Sequence, residues 1–291
     1  MIRSAVTISL VDEAADGPFV FRRDLAAACR EAQELGFDAV ELFLPSPQAV
    51  DPARLRIVLN DHGLALAAVG TGAGWLRDRL HLTLGDAPSR VRARDFARSM
   101  VEFAGAFRAP AIIGAMQGRS SPEVPHFTAL GYLADALEDL GETARPFGVP
   151  ILLEPMNRYE TDLINTLEGG TRLIQSIAGA NVRLVADLFH MNIEEADSAA
   201  AIRSARGWVG HVHLADSNRR APGAGQIAFA PIAEALHEVG FAGFASVQAL
   251  PYPDPRFAAT QAIHAFRGLF GRGGPAGPVS SSSGSRGPRG G

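Results

Sequence analysis

The chain predicts a single-domain α/β protein, a closed (β/α)8 or TIM barrel. Short β-branched or apolar runs alternate eight times with longer amphipathic ones before the sequence turns to low complexity. Polar residues gather at the C-terminal ends of the short runs, the end that forms one mouth of such a barrel. No G-x-G-x-x-G follows the first run, which disfavours an open doubly wound sheet. With 291 residues, 47% hydrophobic and 20% charged, the chain has the apolar material for one large core.

Taken in order, strands are expected over 4–10, 39–43, 65–70, 111–114, 149–154, 183–187, 210–213 and 244–248, where β-branched and apolar residues cluster. Helical periodicity is clearest over 23–35, 90–107 and 130–144. Leu35-Gly36-Phe37 and Phe147-Gly148-Val149 place a glycine where a helix must stop before the next strand. The segment Gly70-Thr71-Gly72-Ala73-Gly74-Trp75 reads as a Gly-rich βα loop that either exposes Trp75 to a pocket or packs it. The barrel is assigned to 1–270. Residues 271–291 are Gly, Ser, Pro and Arg with almost no apolar side chains, so they cannot offset the entropy of ordering and read as a disordered tail.

A formal charge of −4 gives no basic footprint, so nucleic acid is not an expected partner and small-molecule chemistry is. Cys29 is the only cysteine and cannot pair within the chain, which suits a reducing compartment and a buried structural role. No stretch approaches the roughly 18 uninterrupted apolar residues of a membrane span, and Met1-Ile2-Arg3-Ser4 leads straight into a strand-like run. A cytoplasmic protein without a membrane partner is expected.

Four strand ends carry the chemistry: Glu154, Asp187, His213 and Gln248. A carboxylate closing the apolar run Val149 to Leu153 is costly without a cation, although a salt bridge would serve as well as a metal. Three successive strands ending in ligand-type residues favour the metal. Were Gln248 a glutamate, the set would be an oxygen-rich, one-nitrogen site suited to Mn²⁺ or Mg²⁺, and a glutamine can still lend a carbonyl oxygen to the metal. His211 lies two residues before His213 and faces the same side one layer lower, where a hydrogen-bonded core role is expected. His190 follows Asp187 by three in the outgoing loop, placed as a proton donor or substrate contact. Arg219 and Arg220, after the turn Asp216-Ser217-Asn218, offer a guanidinium to a substrate or to solvent.

The segments Glu154-Pro155-Met156-Asn157-Arg158-Tyr159-Glu160, Asp187-Leu188-Phe189-His190-Met191-Asn192-Ile193-Glu194-Glu195 and His211-Val212-His213-Leu214-Ala215-Asp216-Ser217-Asn218-Arg219 resemble the xylose isomerase-like barrel superfamily, and most of all its ketose 3-epimerase branch. The resemblance spans nearly the whole barrel. It implies proton transfer next to a sugar carbonyl and a homodimer or tetramer. It also implies a divalent ion, commonly Mn²⁺ with Mg²⁺ or Co²⁺ as substitutes, held at positions matching Glu154, Asp187, His213 and a strand-eight glutamate. Positions matching Glu160, His190 and Arg219 contact substrate in that branch; Trp75, read from its Gly-rich loop alone, either stacks on a sugar face or packs in the core. In such a scheme Glu154 serves as ligand and base.

The chain departs from this pattern at two places. Gln248 stands where the second glutamate belongs, and Gln226-Ile227-Ala228-Phe229 has alanine where an acidic residue is frequent. An amide lends a carbonyl oxygen but accepts no proton at neutral pH. With Glu154 and Asp187 as the only carboxylate ligands, a divalent ion is neutralised rather than overcompensated, so weaker metal affinity is expected and a two-base epimerisation is disfavoured. An isomerase or epimerase with an atypical second base remains the leading expectation. The alternatives are a lyase or dehydratase acting on a keto-sugar or glycoside, and a sugar-binding barrel with little turnover. Endonuclease chemistry on the same fold wants more histidine ligands and a basic surface.

Overall fold

The computed structural model describes residues 1–271, so the tail expected beyond the barrel lies outside the described residues apart from Gly271. Eight parallel strands close a barrel: β1 Arg3–Ser9, β2 Ala39–Phe43, β3 Ala65–Gly70, β4 Ala111–Ile113, β5 Ile151–Leu153, β6 Val182–Asp187, β7 Val209–Leu214 and β8 Phe244–Val247. Each pairs with the next in sequence, and β8 returns to β1 from Arg3↔Phe244 to Val6↔Val247. Where β8 stops, the dipeptide Phe21–Arg22 takes over the edge of β1 at Ile8 and Ser9. The eight predicted strands are all present, with ends shifted by a residue or two. Glu154 and Gln248 stand one residue past β5 and β8, where the backbone ladder gives way to loops that start at the mouth.

Side-chain alternation sorts each strand between two cores. Val6, Ile8, Val40 and Leu42 face outward into the main core against the helices. Registered partners point to the same side, so Thr7↔Glu41, Glu41↔Ala68, Val185↔His211, Asp187↔His213 and His213↔Ser246 define the interior. One half of that interior is apolar, filled by Ala68, Ile112, Leu152 and Val185. The other half, where β1, β2, β7 and β8 meet, holds Thr7, Glu41, His211, His213 and Ser246, all buried.

The outer helices are set by aspartate caps. Asp24, Asp51, Asp86, Asp197 and Asp254 each accept a backbone N–H from the first turn of α1 Leu25–Leu35, α2 Pro52–Asp61, α4 Ala87–Gly105, α8 Ser198–Ser204 and α10 Pro255–Phe270 respectively. These caps explain the shifted boundaries. Helix α1 starts two residues later than its periodicity suggests because Asp24 is extended and Arg23 takes a φ of 67°. Helix α4 starts three residues earlier because Asp86 caps it and a proline follows in the first turn. Helix α5 His126–Ala144 turns an apolar stripe inward and buries Leu133, Leu137 and Leu140.

Two short helices replace expected loops. Trp75 sits on α3 Ala73–Asp78, and His190 on α7 Leu188–Glu194, which Asp187 itself caps. The remaining helices are α6 Leu167–Gln175 and α9 Phe229–Glu238. Cys29 is fully buried in α1, as a structural thiol should be, and burial pushes it up to about 12. No helix among the described residues is long and apolar enough to cross a membrane.

Leu137 is completely enclosed on α5. Leu137→Ala is expected to destabilise the fold by about 2–5 kcal/mol, read as a lowered urea midpoint with the far-ultraviolet circular dichroism of the native protein unchanged.

Candidate active site

The chemistry-bearing side chains converge because three consecutive strands end together. Glu154 leaves β5 with its N–H still bound to the Ile113 carbonyl at 3.0 Å, and its Oε2 rests against Gly114, where any Cβ would collide with it. Asp187 ends β6 and caps α7, so its Oδ1 accepts from the N–H groups of Phe189 at 2.8 Å and His190 at 3.1 Å. That leaves Oδ2, fully buried, with no hydrogen-bond partner. His213 on β7 turns Nδ1 toward both, 2.8 Å from Glu154 Oε1 and 3.5 Å from Asp187 Oδ2.

Charge rather than shape organises this cluster. Burial works to raise the Asp187 carboxyl, but attraction to His190, Arg219 and His213 outweighs it and holds the group well below the usual carboxylate range. Burial likewise works to lower His213, and the negative charges of Glu41 and Glu154 reverse the balance, raising it well above an ordinary histidine. For Glu41 the burial penalty is overcome by the charge of His213 and by hydrogen bonds from His211 and His213, which hold it low. Burial lowers His211, leaving it a neutral donor to Glu41 at 2.7 Å.

Around this centre, Asn157 fixes His190. Its backbone N–H and its Nδ2 both donate to Nδ1, at 3.2 and 2.8 Å. The Nε2 edge lies 3.3 Å from Arg219 Nη1 and 3.9 Å from Asp187 Oδ2. Arg219 spans the site: Nη2 donates to Gln248 Oε1 at 2.8 Å and stands 3.8 Å from Asp187 Oδ2, while its guanidinium stacks 4.4 Å from the Phe189 ring. Its backbone adopts φ 60°, an uncommon conformation for a residue with a Cβ. The loop holds it there, because Asp216 accepts from the N–H groups of Ser217, Gly223 and Ile227.

A cavity of ≈ 510 Å³ opens above these groups. Its floor includes Glu154, His190, His213, Arg219 and Gln248; Phe19, Phe43, Trp75 and Leu76 line an apolar wall; and Glu160 faces it beside Asn157 Nδ2 at 3.1 Å. The structure thus brings together Glu154, Asp187, His190, His213, Arg219 and Gln248, with Glu160 and the half-buried Trp75 on the same cavity. Arg220 is directed elsewhere, its guanidinium 3.7 Å from the Tyr252 ring. Sequence reasoning missed Glu41 and Asn157. Glu41 carried a signal, since a carboxylate in the middle of Ala39-Val40-Glu41-Leu42-Phe43 must face a buried interior.

These residues fit a divalent ion. A buried carboxylate oxygen without a donor is what a cation satisfies, and Glu154, Asp187 and His190 present ligand atoms within 4.8 Å of one another, with His213 Nδ1 on the same two carboxylates. The donors are oxygen-rich, as Mn²⁺ and Mg²⁺ prefer.

Residues 29–268 match the family described as Xylose isomerase-like TIM barrel. The chain belongs to that family. Among its relatives, the L-ribulose 3-epimerase of Mesorhizobium japonicum is 34% identical over 219 residues, covering 75% of this chain and 73% of that one. The 3-dehydro-D-guloside 4-epimerase of Escherichia coli is 29% identical over 77% of this chain and 86% of its own. The solved structure of an L-ribulose 3-epimerase superposes with a TM-score of 0.78 at 27% identity, covering 92% of this chain and 94% of that one. Within the xylose isomerase-like family the chain therefore resembles the ketose 3-epimerase branch and is an enzyme of the isomerase and epimerase type.

In protein stripped of metal, protonated His213 contributes stability fully below its unfolded value of about 6.5, and the contribution is lost as pH rises through its elevated folded value. Glu41 and Asp187 contribute fully above about 4, and lose that contribution as pH falls through their depressed folded values. Urea midpoints measured in EDTA should therefore peak between these limits and fall on both sides. Gly114→Ala should leave the fold intact while displacing Glu154, weakening Mn²⁺ uptake at least about tenfold by titration calorimetry.

Proposed function

We propose that the chain is a divalent-metal-dependent sugar isomerase or epimerase that moves a proton on the carbon next to a carbonyl, with a glutamine at the second-base position. The observation that carries this reading is the convergence of Glu154, Asp187 and His213 from three consecutive strand ends on the unpartnered Oδ2 of Asp187. Glu154, Asp187, His213 and the Gln248 carbonyl would hold the ion, Mn²⁺ by preference and Mg²⁺ or Co²⁺ as alternatives. When bound, the ion supplies positive charge that favours loss of a proton beside a substrate carbonyl.

The residues divide the remaining work. Glu154 takes and returns the substrate proton as the general base. His190, its ring fixed by Asn157, donates to a substrate oxygen. Arg219 and Glu160 orient the sugar hydroxyls, and Trp75 offers an aromatic face to the ring. Gln248 accepts from Arg219 and moves no proton, so exchange runs from one face of the reacting carbon. The substrate is a small sugar, with neither nucleic acid nor membrane as partner, and we place the enzyme in the cytoplasm as a homo-oligomer, as the resemblance implies.

One favourable feature of a lyase is also present: elimination needs one base and one acid, and Glu154 with His190 supplies both. Incubating Mn²⁺-loaded protein with ketoses and keto-glycosides in D₂O separates the two. Deuterium entering next to the carbonyl is the expected result, an unsaturated product marks the lyase, and no exchange on any substrate overturns the catalytic reading. Glu154→Gln should slow the exchange by about 10²–10⁴-fold. Gln248→Glu, which keeps an acceptor for Arg219, should tighten Mn²⁺ binding and raise epimer formation at least tenfold, and equal epimerisation by the parent would refute the single-base assignment.

A further inference from the structure

Glu41 is a buried carboxylate on β2, 113 positions before Glu154 in sequence and one imidazole away from it in space. Such a charge is expensive unless paired on all sides, and both of its oxygens face imidazole nitrogens. Oε2 lies 2.7 Å from His211 Nε2, and Oε1 and Oε2 lie 3.1 and 3.3 Å from His213 Nε2. An ionised carboxylate only accepts, so both Nε2 atoms carry hydrogen. His213 Nδ1 is then the one ring atom of that residue left to ligate, and it is the atom turned toward Glu154 and Asp187.

Resting on the metal-dependent reading above, we propose that Glu41 is the positioning residue of the divalent-ion site, locking His213 with Nδ1 presented and supplying the negative charge that Gln248 does not. Metal-binding histidines commonly donate their other ring N–H to a carboxylate, which fixes the tautomer and makes the ring a better donor. Here the carboxylate is itself braced: His211, perpendicular to His213 at 90° with ring centroids 5.2 Å apart, holds Oε2 and prevents Glu41 from turning away. Glu41, Glu154 and Asp187 together bring three negative charges to the ion. Glu154 and Asp187 remain the only carboxylate ligands in this arrangement, and Glu41 acts through His213.

Direct Mn²⁺ titration by calorimetry on the metal-stripped full chain tests this. Glu41→Gln is expected to weaken Mn²⁺ binding about 10–100-fold, with Glu41→Asp recovering part of the loss. In the Zn²⁺-loaded, ¹⁵N-histidine-labelled parent, His213 should show a protonated Nε2 and a metal-shifted Nδ1. That spectrum decides the question even if Glu41→Gln fails to fold. Parental affinity in Glu41→Gln, or a metal-bound Nε2 with the proton on Nδ1, overturns the role of Glu41 while leaving the metal-dependent reading intact. A parent that takes up no divalent ion overturns both.

Discussion

Within the barrel, His213 touches three carboxylates at once: Glu154 and Asp187 through Nδ1, and Glu41 through Nε2. Each acid taken singly would pay a heavy desolvation penalty at that depth. Together they are tolerated because one imidazole, with Arg219 at 3.8 Å from Asp187, distributes positive charge among them, while the neutral His211 donates a hydrogen bond to Glu41. The arrangement of the mouth follows from that balance. Asp187 cannot move without losing the cap of α7, Glu154 cannot move toward β4 because its Oε2 already rests against Gly114, and His213 is gripped from both ring nitrogens. Preorganisation of this kind is what a site needs if charge is to be stabilised during a reaction without rearranging the protein.

The barrel closes around this asymmetry. Its apolar half, Ala68, Ile112, Leu152 and Val185, gives β3 to β6 an interior that packs like any core, while β1, β2, β7 and β8 enclose the polar half. The cavity inherits the division, with an aromatic wall of Phe19, Phe43 and Trp75 and a floor of ionic groups. A sugar has the same two-sided character, with C–H faces that suit aromatic rings and hydroxyls that suit Arg219, Glu160 and His190. Arg219 sits at positive φ because the Asp216 loop pins its neighbours, and the result is a guanidinium that meets Gln248, Phe189 and His190 together.

The barrel was legible because its signals are local and repeated: alternating runs, glycines after helices, and ligand-type residues at successive strand ends. Boundaries were less so, since the cap and not the hydrophobic period decides where a helix begins; Asp24 delays α1 and Asp86 advances α4. His190 read as a loop residue for the same reason, the cap being Asp187, whose charge had already been assigned to the site. Glu41 escaped because strand-end position was the criterion, and it lies in mid-strand. Only the register Thr7↔Glu41 and Glu41↔Ala68 turns it inward, and only closure of β8 onto β1 brings β7 close enough for His211 and His213 to reach it. Asn157 lies within a recognisable motif, but its hold on His190 spans 33 residues and exists only in three dimensions.

Gln248 shows how a substitution of one atom type redistributes a mechanism. Glutamine and glutamate occupy nearly the same volume, and the amide oxygen still receives Arg219 at 2.8 Å. A carboxylate in that place would neutralise the guanidinium; the amide leaves it cationic and facing the floor of the cavity. Under the proposed chemistry the second face of the substrate therefore gains a fixed positive charge where a second base would have stood. Such a site is poorer at returning a proton from that side and better at stabilising negative charge on substrate oxygens once Glu154 has removed one. Under that proposal the fold does not separate epimerase, isomerase and lyase, and the protonation capacity of the side chain at the end of β8 does.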